Sequence, residues 1–282
     1  MRNRVSLIII FLFTIGICEA QYPPVFKNSV YGNNPDAGHY INIRGFKMYY
    51  EVYGKGEPML MIHGNAGSIN NLSGQIEYFS KYYQVIIADS RAHGKSTDTS
   101  DTLSYKMMAD DFNALLDSLQ IKSCNVLGWS DGGNNGLLMA IHYPEKIKKL
   151  VISGANTEID STAIAGELVT IDQLGPLYVQ EQTPETINLI KVTKLLFMLP
   201  GITRELLQTI KCPTLVIGGD HDVIIPKHTL YIAENIPNAN LWILPNSGHS
   251  TLIFHKELFN QTVAEFFNKP YRTIKGMDRL DW

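Results

Sequence analysis

The chain has 282 residues, 45% hydrophobic and 18% charged, enough for one large core or at most two small domains. Twenty-four Lys and Arg stand against 27 Asp and Glu, a formal net charge of −3, so there is no basic excess to follow a nucleic-acid backbone. Ten per cent aromatics and 13 scattered prolines exclude a disordered, collagen-like or low-complexity chain.

At the N-terminus, Arg2 and Arg4 precede an apolar run from Val5 to Cys18, and Cys18-Glu19-Ala20 places small residues where a signal peptidase reads before Gln21. The run is shorter than the roughly 20 residues that span a bilayer. Residues 1–20 are therefore expected to be a secretory signal peptide. Residues 21–282 are then the mature domain, secreted or periplasmic and without a stable membrane span. Processing as a lipoprotein through Cys18 is the minor alternative, which the large Ile17 before it disfavours.

Farther along, Tyr40 to Arg44 and Phe46 to Tyr53, separated by Gly45, read as a hairpin of antiparallel strands. Short, continuously apolar runs follow at 59–62, 85–88, 124–127, 149–153, 214–218 and 241–244, the pattern of strands buried on both faces. Helical spacing lies between most of them: Tyr105 to Leu119, Gly133 to Tyr143, His228 to Ile236 and Lys256 to Phe267. Alternating strands and helices predict an α/β protein with a mostly parallel sheet, and the hairpin brings the count to eight strands. Residues 155–211 interrupt the alternation with helical stretches only, such as Ile187 to Met198, and are expected to form a helical insertion or lid. Lys269 to Trp282 reads as a surface tail. Cys124 and Cys212 each open an apolar strand with another strand between them, a separation beyond the roughly 7 Å that a disulfide bridges. Two free, buried thiols are expected.

The strand at 124–127 runs into Gly128-Trp129-Ser130-Asp131-Gly132-Gly133 and a helix follows at once, the G-x-S-x-G arrangement of a nucleophile elbow. A sharp turn strains the serine, and glycines two residues to either side leave room where side chains would collide. A serine hydroxyl needs a base to remove its proton and a carboxylate to orient that base. Both appear downstream in the order acid, then histidine: Asp220-His221-Asp222 after the strand at 214–218, and Gly248-His249 after the strand at 241–244. Asp220 or Asp222 is the acid; His249 is the base, with His221 and His255 as nearby alternatives.

On these residues the chain resembles the α/β-hydrolase superfamily over essentially its mature length, and the GWSDGG run is similar to the biphenyl hydrolase-like (valacyclovir hydrolase-like) serine hydrolases. The resemblance implies an α/β-hydrolase fold: a mostly parallel eight-stranded sheet flanked by helices, with a helical lid. It selects Asp222, three residues after Gly219, as the acid and His249 as the histidine of the triad with Ser130. His63-Gly64-Asn65-Ala66-Gly67-Ser68 is similar to the family's HGxxGS turn, which gives the backbone N–H groups of Asn65 and Asp131 to an oxyanion hole and leaves His63 as a packing residue. Asp89 to Ser96 resembles the supporting DxRGxGxS turn, with Ala92 in place of a glycine.

Asp131 is read in two ways: as a carboxylate stabilised by the helix N-terminus, or, with Trp129, as a substrate-binding residue whose carboxylate pairs with a substrate ammonium. Some biphenyl hydrolase-like proteins cleave α-amino acid esters, which the resemblance carries over as an expectation. The eight histidines include no metal-ligand spacing and no Cys pair has zinc-site spacing, so neither a metal nor another cofactor is expected. Asn71 and Asn260 head glycosylation sequons that matter only in a eukaryotic host. The expected function is hydrolysis of small esters or amides through an acyl-enzyme on Ser130. Cofactor-free perhydrolysis, carbon–carbon bond hydrolysis and a non-catalytic ligand receptor on the same scaffold are the alternatives.

Overall fold

The computed structural model describes residues 29–166 and 183–280. The expected signal peptide and the middle of the expected lid lie outside the described residues. Eight strands form one sheet: β1 (Gly38–Ile43), β2 (Phe46–Tyr53), β3 (Glu57–Ile62), β4 (Tyr83–Ala88), β5 (Cys124–Trp129), β6 (Ile147–Ser153), β7 (Thr214–Gly219) and β8 (Ala239–Leu244). Their order is β1-β2-β4-β3-β5-β6-β7-β8. The hairpin strands are antiparallel to each other and β2 is antiparallel to β4, while every pairing from β4 through β8 is parallel.

The continuous apolar runs follow from burial on both faces. Leu60 and Ile62 of β3, Val126 of β5 and Ile152 of β6 join one core; Met59 and Met61, Leu127 and Val151 join the other. Helices α1 (Ser73–Phe79) and α8 (Lys256–Asn268) cover the second face through Ile76, Phe79, Phe259 and Val263. The first face is covered by α2 (Tyr105–Ser118), α3 (Asp131–His142) and α6 (Pro226–Asn235). Ser104 caps α2 by accepting from Met107 N at 3.2 Å, and Met108, Phe112 and Leu115 put one stripe of that helix in the core. Cys124 and Cys212 are free and buried, as the strand order requires.

Between β6 and β7 the described residues contain α4 (Pro184–Leu195) and α5 (Arg204–Leu207), and a bridge from Ile164 to Ile224. Thr183 caps α4, with Pro184 in its first turn where a missing N–H is harmless. Buried Lys191 ties this helix to the body: its Nζ donates to Asp98 Oδ2 and O, both at 3.0 Å, and to Ser100 O at 2.9 Å. Asp98 in turn meets Arg91 at 3.0 Å, and Arg91 forks onto Asp111 at 2.7 and 2.8 Å while its guanidinium lies 4.0 Å above the Phe46 ring. The short α7 (Thr251–Phe254) precedes α8.

Candidate active site

The register aligns the C-terminal ends of five strands: Ile62 faces Gly128, Trp129 faces Ser153, and Gly219 faces Leu244. The loops after β3, β5, β7 and β8 therefore meet above one edge, where parallel sheets collect their functional groups.

Ser130 sits between β5 and α3 with φ of 55° and ψ of −122°, a left-handed conformation that a side chain rarely adopts. Its own N–H donates to Ser153 O at 2.8 Å and its carbonyl accepts from Gly133 N at 2.7 Å, which lock the turn from both sides. The flanking glycines have the steric reason that the spacing implies. A Cβ on Gly128 would lie 2.2 Å from Gly132 O, and one on Gly132 would lie 2.1 Å from Ile62 O.

The structure brings Ser130, His249 and Asp222 together. His249 Nδ1 lies 2.7 Å from Asp222 Oδ1 and His249 Nε2 lies 2.9 Å from Ser130 Oγ. The carboxylate can only accept, so Nδ1 carries the proton and Nε2 is left to accept from the serine hydroxyl. Asp222 is buried, and its Oδ1 also accepts from Ile224 N at 2.9 Å. Asp220, the other candidate acid, braces the loop that carries His249, accepting from Asn246 N and Ser247 N, each at 2.9 Å. These bonds hold its carboxyl below the usual range. His221 is exposed against Asp220, and His255 lies between α7 and α8, so neither replaces His249.

Trp129 and the Asp131 side chain are placed differently from the substrate-contact expectation. Trp129 is buried; its Nε1 donates to His249 O at 3.0 Å and its ring lies 5.9 Å from the imidazole, so it holds the histidine. The Asp131 carboxylate is 3% exposed, with Oδ1 accepting from Tyr105 Oη at 2.9 Å and Oδ2 from Asn65 Nδ2 at 2.8 Å. Burial raises its pKa, against the lowering effect of those two donors and His249. Asn65 Nδ2 also donates to Val192 O of α4 at 3.0 Å, which joins the inserted segment to the site. Among the described residues neither the Asn65 nor the Asp131 backbone N–H has an acceptor. Gly64 brings the Asn65 loop against Ser130: a Cβ there would lie 3.1 Å from Ser130 Cβ.

His63 is fully buried, accepting from Ser90 N at 2.9 Å through Nε2 and pairing with Gly64 O at 2.7 Å through Nδ1. Burial and the neighbouring His93 push its pKa down to about 3, so it is a neutral packing group under the site. Asp89 anchors the next turn, accepting from Ile69 N at 2.9 Å and Lys95 N at 2.7 Å, and Ala92 carries a φ of 63° where a glycine would be unstrained. The Asn260 sequon is closed off, since that side chain is buried between Gln75 and Gly74 O.

Gly154 is a position in the candidate site that sequence reasoning missed. Its φ is 64°, and a Cβ there would stand 2.7 Å from His249 Cε1. The signal was a glycine directly after the β6 run, in Ser153-Gly154-Ala155. Among the described residues no group of three or more His, Cys, Asp or Glu could hold a metal, and no helix is long and apolar enough to cross a membrane.

The family model for the alpha/beta hydrolase fold matches residues 57–173. Serine hydrolase BPHL of Mus musculus is 28% identical over 273 residues, covering 89% of this chain and 91% of that protein. A 2-hydroxy-6-oxononadienedioate/2-hydroxy-6-oxononatrienedioate hydrolase of Burkholderia vietnamiensis is 27% identical over 281 residues, covering 82% and 95%. Among solved structures, the meta-cleavage product hydrolase CumD of Pseudomonas fluorescens superposes with a TM-score of 0.69 at 23% identity, covering 83% of this chain and 99% of that one. The eight-stranded, mostly parallel sheet flanked by helices is an α/β-hydrolase fold, and the chain is similar to the BPHL serine hydrolases.

Proposed function

We propose that the protein is a serine hydrolase of small carboxylic esters or amides. The observation that carries this reading is the unbroken line from Asp222 through His249 to Ser130, with hydrogen bonds of 2.7 and 2.9 Å. Ser130 Oγ attacks the carbonyl carbon while its proton passes to His249 Nε2, and Asp222 stabilises the imidazolium through Nδ1. The carbonyl oxygen, now an anion, accepts from the N–H groups of Asn65 and Asp131, an arrangement in which each donor contributes about a hundred- to a thousand-fold in rate. Collapse of the tetrahedral species expels the alcohol or amine, which takes the proton from Nε2. Water, deprotonated by the same histidine, then releases the acid from the acyl-enzyme. The likeness to a named serine hydrolase supports this class.

Within it we favour neutral acyl groups over α-amino acyl groups, because both oxygens of the Asp131 carboxylate are already engaged. The test is a matched pair, an α-amino acid ester and its N-acetylated form, with Ser130→Ala as blank. Ser130-dependent turnover favouring the acetylated form is expected. A strong preference for the free amine would overturn the assignment of neutral substrates, and no Ser130-dependent turnover of either would overturn the esterase. Carbon–carbon bond hydrolysis with the same triad is the second reading, favoured by the relative named for a hydroxy-oxo dienedioate. Turnover of such a diketonic acid, with none of simple esters, would support it. We further propose that the enzyme acts outside the cytoplasm after cleavage before Gln21; N-terminal sequencing of the mature protein checks this.

A further inference from the structure

The two backbone N–H groups assigned to the oxyanion belong to Asn65 and Asp131, and the side chains of these same two residues are bonded to each other. Asn65 Nδ2 bridges Asp131 Oδ2 at 2.8 Å and Val192 O at 3.0 Å; Tyr105 Oη donates to Asp131 Oδ1 at 2.9 Å. The arrangement joins three separate parts of the chain, the loop after β3, the start of α3 and the start of α2, and it reaches α4 through Val192. Its Asp131 and Tyr105 ends lie out of water, at 3% and 4% exposed, while Asn65 is half-buried. The backbone beside each amide is also held: Gly64 O accepts from Gly67 N at 3.2 Å and Ser130 O from Gly133 N at 2.7 Å. The Asn65 loop rests on Ser130 through Gly64 and turns through Ala66 at a φ of 52°, while α3 is held against the end of β3 at Gly132. A buried carboxylate beside a developing anion would also oppose the reaction unless its charge were drawn aside, and the Tyr105 hydroxyl and Asn65 amide supply donors that do this.

We propose that Tyr105 is a positioning residue for acyl transfer: through Asp131 and Asn65 it sets the separation and aim of the two oxyanion-hole amides, and through Val192 it couples them to the seating of α4. The inference rests on the serine hydrolase reading above. Tyr105 touches no reacting atom. Its hydroxyl holds Asp131, Asp131 holds Asn65, and the geometry of the amides follows. An oxyanion develops only in the transition state, so loosening the clasp should lower kcat and leave KM almost untouched.

The experiment compares the parent, Tyr105→Phe and Ser130→Ala in the full chain. It measures kcat and KM on a neutral p-nitrophenyl ester, and the inhibition constant of a trifluoromethyl ketone, which adds to a serine as a hemiketal oxyanion. Tyr105→Phe keeps the ring and removes only the hydroxyl. The expected result is a fall in kcat of about ten- to a hundred-fold, with KM changed less than about two-fold and the ketone weakened by the same factor as kcat. Asn65→Ala opens the clasp from the other side and keeps the test available should Tyr105→Phe fold poorly. Because the residues act as a unit, the double variant should lose little more than the worse single one. Unchanged kcat and ketone binding in Tyr105→Phe, or a loss of thermal stability alone, would overturn the positioning role, as would fully multiplicative losses in the double variant. A parent without Ser130-dependent turnover or ketone binding would instead overturn the hydrolase reading on which the inference stands.

Discussion

His63 gives a stability prediction in which the sign and size both follow from burial. In the native protein its pKa is pushed down to about 3, whereas an unfolded imidazole titrates near 6.5. Below pH 6.5 the unfolded chain therefore binds a proton that the folded chain refuses, so this residue's contribution to stability is complete above about pH 6.5 and is lost as pH falls toward 3. Each pH unit in that window is worth about 1.4 kcal/mol per proton, or about 2 kcal/mol between pH 6.5 and pH 5. His63→Gln isolates the effect. Its Oε1 can accept from Ser90 N as Nε2 does, while the bond to Gly64 O is lost, so the variant should be about 1–2 kcal/mol less stable at pH 7.5. At pH 5 the parent has lost about 2 kcal/mol that the variant never had, and the gap should close or invert. Other titrating groups, including His93 with a pKa near 4 and Asp89 with one raised to about 6, are present in both proteins and largely cancel. Urea unfolding of the two proteins at pH 7.5 and pH 5 measures the gap. A gap that stays constant between the two pH values would refute the buried neutral histidine.

The remaining predictions concern particular side chains. Gly154→Ala places a methyl group 2.7 Å from His249 Cε1, and displacing the imidazole should lower kcat about a hundred-fold with circular dichroism unchanged; near-normal activity would show that the loop yields freely. Lys191→Met removes one of the two cations paired with Asp98 and leaves two carbonyl oxygens without their donor, and should lower stability by about 3 kcal/mol and speed proteolytic cleavage within α4; a neutral substitution would mean that this ion pair does not anchor the helix. Burial pushes the Cys124 thiol up to about 12 and the Cys212 thiol to about 11, so a disulfide reagent should react with neither of the two on the folded protein within minutes and with both in denaturant. Glu51→Gln should lower stability by about 2 kcal/mol, because that fully buried carboxylate accepts from Gly32 N, Asn34 N and the hydroxyls of Tyr49 and Tyr53 and so fastens the segment before β1; unchanged urea midpoints would contradict it.

The parts of this fold that could be read from the sequence are those governed by local rules. Runs such as Met59 to Ile62 announce strands because both faces are covered, and Gly128 and Gly132 announce the elbow because their neighbours leave no room for a Cβ. The helix Ser73–Phe79 escaped because Ser-Gly-Gln-Ile-Glu-Tyr-Phe is too short and too polar for an apolar period to register. Residue types also left Asp220 and Asp222 open. The family resemblance chose Asp222; the structure places Asp222 against His249, while Asp220 is occupied by the amides of residues 246 and 247, which come from a strand end 24 or more residues downstream.

Side-chain direction at Asp131 and Trp129 likewise depended on partners remote in sequence. The indole meets the carbonyl of His249 and the carboxylate meets Tyr105 and Asn65, so none of the three contacts involves residues close in sequence. A carboxylate beside a nucleophile invites a cationic substrate only while it lacks donors, and here the fold supplies two before any substrate arrives. The same reasoning applies to the insertion after β6. Its helix α4 is fastened to the body at neighbouring residues, by Lys191 to Asp98 and by the Val192 carbonyl to Asn65. One attachment is a buried ion pair and the other a bond to a residue of the proposed oxyanion hole. A change in the seating of α4 is thus felt at Asn65, within the group of side chains that sets the distance between the two amides.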